Sequence, residues 1–315
     1  MTGETYTYPQ GIQTSADIAK VKEYLKGILD QVAVKESITG YMTPDPYLFA
    51  AGQRAGEFNV PTISLDGLAD YDRTHGYAQG EAELSFETYK LECDRGRSFT
   101  LDAVDVMQED GILQATSLMS EFVRSKVVPE MDAYRICKLA GIAKTAGNVR
   151  NQTATNYAKD KILGNILSAI RSVKNNLKLN TASGIKLHVN TDYMDALEGS
   201  TEMIRNHDMQ SAVRRLDNGV EVINGAEVIE TPPEYMSTAL TLGTGSFTPS
   251  GDTVVALAVA PGVANGLVAH NVSNIFPPGI AQGVDGSIVE YRVFHDCLVM
   301  QNKIPGIYAL TLKTS

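Results

Sequence analysis

The chain is predicted to be an α+β protein: an N-terminal arm, an extended β-hairpin, one very long helix, then a mixed α/β region closed by C-terminal strands. Three observations carry this. An apolar stripe at helical spacing runs from near Asp102 to about Lys144. At 1.5 Å per residue such a helix spans roughly 60 Å, whereas a compact globule of this length has a radius of gyration of only about 20 Å. The helix therefore reads as a strut. Before it lies a hairpin over residues 57–99 whose tip is polar and Gly-rich, a ribbon that is marginal in water without a surface to lie on. After it, helical and strand patterns are interleaved to the C-terminus.

Residues 1–50 form the arm. Ser15 or Asp17 opens an amphipathic helix, and Ile18, Val21, Leu25, Ile28, Leu29 and Val32 recur at spacings of three and four. Gly40 and the Thr43–Pro46 cluster end that region. Phe58, Val60, Ile63 and Leu65 mark the outgoing strand of the hairpin; Leu84, Phe86, Tyr89, Leu91 and Cys93 mark its return. The apolar set changes face between Phe86 and Tyr89, which predicts a bulge or a strand covered on both sides. Within the strut, Pro129 removes a backbone hydrogen bond and is expected to bend or interrupt it.

A second helix is predicted over about 156–178, with Ile162, Leu163, Ile166, Leu167, Ile170, Val173 and Leu177 on one face. An apolar strand follows from Ile185 to Val189, then a short helix from a Thr191 or Asp192 cap, then another through Met209, Val213 and Leu216. Residues 219–230 read as a hairpin turning at Asn224–Gly225. Residues 239–253 are Gly/Ser/Thr-rich and predict an exposed loop, and Val254–Val259 predicts a buried strand. Val289, Tyr291, Val293 and Cys297 alternate on one face of a penultimate strand, and Ile307–Leu312 returns as the last.

Composition excludes several classes. The 315 residues are 43% hydrophobic, enough for a core, and their net charge is −10. An acidic chain is a poor candidate for tight, sequence-blind binding to phosphate backbones. Three scattered cysteines make no disulfide framework and fit a reducing compartment. No apolar run is long enough to span a membrane, and no secretory signal is present. There is no phosphate loop, no HExxH and no GxSxG elbow, and the five histidines lack ligand spacing. His295 and Cys297 share a strand face, but Cys297 reads as a small buried hydrophobe rather than a nucleophile. No catalytic residue, cofactor or metal is nominated. Arg95–Phe99 is the concentrated positive spot. It reads as a nucleic-acid contact, as guanidiniums for carboxylates across a subunit boundary, or as solvated surface.

Four phrases, in order, carry a family resemblance: RGRSFTLD before the strut, FVRSKVVPEMDAYRICKLA within it, GVEVINGAEVIETPPEYM in the middle and VEYRVFHDCLVMQNKIPGIY near the end. Over about residues 30–312 the chain resembles the major capsid proteins of tailed bacteriophages with the HK97-type fold. That resemblance implies an N-terminal arm at 1–50, an E-loop hairpin at 57–99, a P-domain spine helix at 100–145, an A-domain at 146–285, and C-terminal strands at 286–315 completing the P-domain. It implies a structural protein without enzymatic activity, assembling with itself as hexamers and pentamers into an icosahedral shell in the virion, built in the host bacterial cytoplasm. Arg73, Tyr77, Phe86, Arg95 and Arg97 are expected at contacts between subunits. The expected partners are a portal and packaged double-stranded DNA held without sequence-specific binding. The acidic balance is expected to leave that DNA unattached to the wall. The chain leaves little room before the arm for a cleavable scaffolding segment, so a separate scaffolding protein is expected. An encapsulin-type nanocompartment shell shares the fold and is the alternative; a soluble α/β enzyme with the strut folded back at Pro129 is the remoter one.

Overall fold

The computed structural model describes residues 36–44, 50–51, 56–71, 73–74, 76–77, 79–102, 111–152, 161–180, 182–198, 215–216, 219–220, 222–276 and 286–312. The arm helix expected over 18–32 lies outside the described residues, as do the first turns expected for the strut and most of the helix expected through Met209 and Val213.

Chain order begins with β1 (Ala50–Ala51), β2 (Glu57–Leu65), β3 (Ala82–Lys90) and β4 (Cys93–Asp102). Helix α1 (Gly111–Phe122) continues through a π-helical turn (Val123–Val127) into α2 (Val128–Thr145). Next come β5 (Val149–Gln152), α3 (Ile162–Leu177), β6 (Lys186–Asn190) and α4 (Thr191–Glu198). The short strands β7 (Arg215–Leu216), β8 (Gly219–Val220) and β9 (Val222–Ile223) precede β10 (Ala226–Thr231). The chain ends with β11 (Ser237–Leu242), β12 (Phe247–Val259), β13 (Ala264–Phe276), β14 (Gly286–Val299) and β15 (Ile307–Leu312).

The strut is one continuous helical run over residues 111–145, about 50 Å long at the usual rise. Pro129 neither breaks it nor folds it back. The π turn lies immediately before the proline, and the Val128 amide reaches the Val123 carbonyl five residues back. The wider turn accommodates a ring that would otherwise crowd the carbonyl four residues earlier.

Two sheets flank the strut. The larger has the order β5-β15-β12-β6-β10-β9, with β11 hairpinned onto β12; β5–β15 and β6–β10 are parallel pairs. Its core is Val254–Val259 of β12 packed with Ile162, Ile166, Ile170 and Val173 of α3 and Ile136, Leu139 and Ala143 of α2, all essentially out of water. The smaller sheet has the order β13-β14-β4. There Val289, Tyr291 and Val293 meet Met119, Val123 and Val128, so one helix serves both sheets with different faces. The type I′ signal at Asn224–Gly225 holds: both residues adopt positive φ (51° and 85°), and Ile223 pairs with Ala226.

Five expectations need correction. Residues 100–102 do not belong to the strut: they end β4, where Leu101 and Asp102 pair with Ser287 and Gly286. The hairpin ends at Lys90, because the chain from Cys93 joins a different sheet, edge-on to β14. Residues 239–253 are not a loop. They build the β11–β12 hairpin, closed by the Gly243 amide on the Ser246 carbonyl, and Leu240 and Leu242 are more covered than their neighbours Ala239 and Thr241. The period-two alternation there outweighs the loop-like composition. The last two strands do not pair with each other: β14 lies in the smaller sheet and β15 in the larger, between β12 and β5. Leu216 is in a strand paired with Gly219, not in a helix.

Candidate functional site

The β2–β3 ribbon is the candidate site, and its register explains it. Nine residues of each strand pair without a shift from Glu57–Lys90 to Leu65–Ala82. No bulge exists between Phe86 and Tyr89. Instead the ribbon is apolar on one face near its root and on the opposite face near its tip.

At the root, Phe58 and Tyr89 are cross-strand neighbours and pack with Phe294, Leu91, Leu267 and Leu298 of the chain's own body. The opposite face there is polar: Glu57 pairs with Lys90 at 3.5 Å, and Thr88 donates to Asn59 at 2.9 Å. Toward the tip the two faces exchange character. Pro61/Phe86, Ile63/Leu84 and Leu65/Ala82 are paired residues on one face, while Thr62/Ser85 and Ser64/Glu83 occupy the other. The outer apolar face is bare: Ile63 is 63% exposed, Leu65 70% and Phe86 66%. An exposed apolar strip on a twin-stranded ribbon is costly in water and marks an interaction surface.

Beyond the strands, the Asp66 carboxylate accepts the Glu81 amide at 2.8 Å and closes the tip. Tyr71 and Tyr77 meet edge to face at 5.0 Å, both exposed, with Arg73 exposed beside them. Residues 66–83 carry five carboxylates against Arg73 alone.

The ribbon leaves the body at a fully satisfied carboxylate. Asp296, completely buried, accepts Lys138 Nζ at 2.6 Å, Tyr134 Oη at 3.1 Å and the Glu92 amide at 3.1 Å. It thereby ties the chain just after β3 to the strut. Burial and Asp296 push the Tyr134 phenol far above its ordinary value, so it stays a donor.

Of the expected contact residues, the structure places Phe86 on the ribbon's strand β3 and Arg73 and Tyr77 in its tip, all exposed. Arg95 and Arg97 lie elsewhere, on β4. The Arg95 guanidinium clasps Glu130 of α2 through Nε at 2.7 Å and Nη2 at 3.1 Å, and also donates to the Gly243 carbonyl at 2.8 Å. It thus joins both sheets and the strut within one chain, a role that spacing along the sequence does not reveal. Arg97 is exposed beside the same β11–β12 turn.

His295 and Cys297 do share a strand face, as alternation predicts, and both are buried. Burial pushes the thiol up to about 12 and the imidazole down to about 4, so at neutral pH the pair holds neither thiolate nor imidazolium. Among the described residues no group of three or more His, Cys, Asp or Glu could hold a metal ion, and no helix is long and apolar enough to cross a membrane.

One long helix thus serves two sheets, and the ribbon's outer apolar face is bare. Solved structures share this architecture. The chain is similar to a chain of the capsid structure of the cyanophage P-SCSP1u (TM-score 0.62, 12% identity, 87% of each chain) and to one in the asymmetric unit of the mature capsid of bacteriophage PhiM1 (TM-score 0.61, 10% identity, 84% of each chain). It is also similar to a virus-like particle from Pyrococcus furiosus (TM-score 0.52, 12% identity, 92% of this chain and 98% of that one). No family model matches the chain, and no curated protein matches it in sequence. The fold is that of phage capsid proteins, α+β and HK97-like.

Proposed function

We propose that this protein is the major capsid protein of a tailed bacteriophage, assembling with itself into an icosahedral shell around double-stranded DNA. The observation that carries this is the ribbon. Its root is buried in its own subunit, while its outer apolar face is bare, on a fold shared with capsid subunits. A neighbouring copy supplies the missing cover, and the same contact repeated around closed symmetry builds a shell. On this reading Arg73, Tyr77 and Phe86 lie at the contact between copies, and Arg97 flanks it. The divisions follow the resemblance: arm, E-loop, spine helix and A-domain, with β14 added to the P-domain sheet. The role is structural, with no reaction assigned.

Electron microscopy of the purified protein tests this, with closed particles of tens of nanometres expected. Deleting residues 68–82 should leave a folded subunit that no longer closes shells; normal particles from that variant would overturn the role given to the ribbon. The similarity to the Pyrococcus particle favours a second reading, a nanocompartment shell that holds protein instead of DNA. The contents of purified particles, nuclease-sensitive nucleic acid or a protein cargo, decide between them.

A further inference from the structure

Charge in this chain is unevenly placed. Residues 141–190 hold eight Lys and Arg and a single carboxylate, Asp160, within a protein of net charge −10. The structure gathers part of this charge on one surface. Helix α3 buries Ile162, Ile166, Ile170 and Val173 against the larger sheet. Its opposite side presents Lys161, Gly164, Ser168, Arg171, Asn175 and Lys178 at spacings of three and four, which places them in one row. The neighbouring strand β5 adds Arg150, whose Nη1 donates to Ser168 Oγ at 3.2 Å and so sits beside the row.

Three properties of this face identify its partner. First, among the described residues Arg150, Lys161, Arg171 and Lys178 have no carboxylate within salt-bridge reach, whereas Arg95, Arg124, Lys138 and Arg292 are each paired within the chain. Second, the side chains between the cations are Gly, Ser and Asn, which donate hydrogen bonds or allow close approach. Third, none of the large exposed apolar residues lies on α3 or β5. A protein partner wants an apolar centre. A phosphate backbone wants a polar, cationic surface without one. The acidic ribbon tip of a second copy is the rival occupant, but it carries Leu68, Tyr71 and Tyr77 fully or largely exposed, and this face has nothing to cover them.

We propose that the outer face of α3, with Arg150, is a sequence-independent binding surface for the phosphate backbone of double-stranded DNA. From Lys161 to Lys178 the row is about 25 Å long, which matches roughly seven base pairs of backbone. The inference deepens the shell reading, on which it rests for its placement: this face is the one turned to the lumen. The net negative charge keeps the contact weak and reversible, with a local patch rather than the average meeting the DNA.

The test is fluorescence anisotropy of a labelled 25-base-pair duplex of arbitrary sequence, titrated with full-length protein across a salt series, with sedimentation run in parallel. The wild type should bind at low salt and lose affinity steeply as salt rises. The triple variant Lys161→Gln/Arg171→Gln/Lys178→Gln changes only exposed side chains. It should bind at least tenfold more weakly, with the salt slope reduced by about three. Lys126→Gln, exposed on the strut, should match the wild type. Absence of binding at low salt, or equal binding by the triple variant, overturns the proposal. So does a triple variant that binds DNA normally but no longer self-associates, which would make the face a contact between copies. Particle formation is read separately. Protein that binds DNA through α3 but never forms particles would remove the shell reading and leave this one standing.

Discussion

Asp132, on the strut and 2% exposed, accepts hydrogen bonds from Ser37 Oγ, the Ile38 and Thr39 amides and Thr39 Oγ1. Thr39 Oγ1 in turn accepts from Arg135 Nη1 at 3.1 Å, so a buried hydroxyl bridges a carboxylate and a guanidinium. Space for that guanidinium depends on Gly266, where an added Cβ would lie 2.9 Å from Arg135 Cζ. The end of the arm is therefore fixed by polar chemistry as well as by the burial of Met42 in the main core. Asp132→Ala leaves the Ser37, Ile38 and Thr39 donors without their acceptor. It should cost about 3 kcal/mol in chemical denaturation, and protease should gain access near residue 37. A second residue-scale consequence concerns pH. His188 is fully buried, bonded to Tyr41 Oη at 2.7 Å and Thr231 Oγ1 at 3.1 Å, and burial holds it at about 4, as it does His295. The unfolded chain takes up these protons near its ordinary value of about 6.5. Stability should thus be level above pH 6.5 and fall between 6.5 and 4, by on the order of 3 kcal/mol for each histidine if the loss runs to completion. In denaturation midpoints measured across that window, His188→Gln should show a visibly flatter decline.

At the scale of elements, the ribbon and the strut each make a distinct prediction. The residues on the ribbon's outer face touch little within their own chain. Ile63→Ser/Phe86→Ser should therefore change subunit stability by no more than about 0.5 kcal/mol, while abolishing assembly in sedimentation. A large loss of subunit stability would mean that the face is already covered in cis. In the strut, Pro129→Ala restores an amide and removes the ring. The turn over 123–127 should then tighten toward α geometry, with slower amide exchange there and an altered particle size or yield. Unchanged exchange would show that the π turn is set by the packing of Val123 and Val128 on the smaller sheet instead of by the proline. Both elements were legible as elements. The change of apolar face at Phe86 and Tyr89 was visible as well, but its meaning was not. A sequence shows that a strand changes face; whether a bulge or two different neighbours is responsible depends on register, which is a property of the partner strand.

For the molecule as a whole, the long strut, the hairpin and the buried strand at Val254–Val259 were readable because each rests on local periodicity or turn chemistry. The candidate contact residues were readable only in part. Tyr77 and Phe86 stand out as large side chains in a polar ribbon, whereas Arg95 looked the same on paper whether its carboxylate lay in another subunit or in Glu130, 35 positions along the chain. The basic run over 141–190 was present in the sequence throughout, hidden by a negative total; helix α3 turned it into a surface by burying the apolar residues between its cations. What the sequence determined by itself was most of the inventory of elements and the incompleteness of the ribbon, because hydrophobic period and turn residues act over a few neighbours. Only the tertiary structure decided the sheet to which each strand belongs, the separation of β14 from β15, the partner of Arg95 and the face on which the ribbon is bare. Those outcomes are set by contacts between residues tens to hundreds of positions apart, and local pattern carries no information about them.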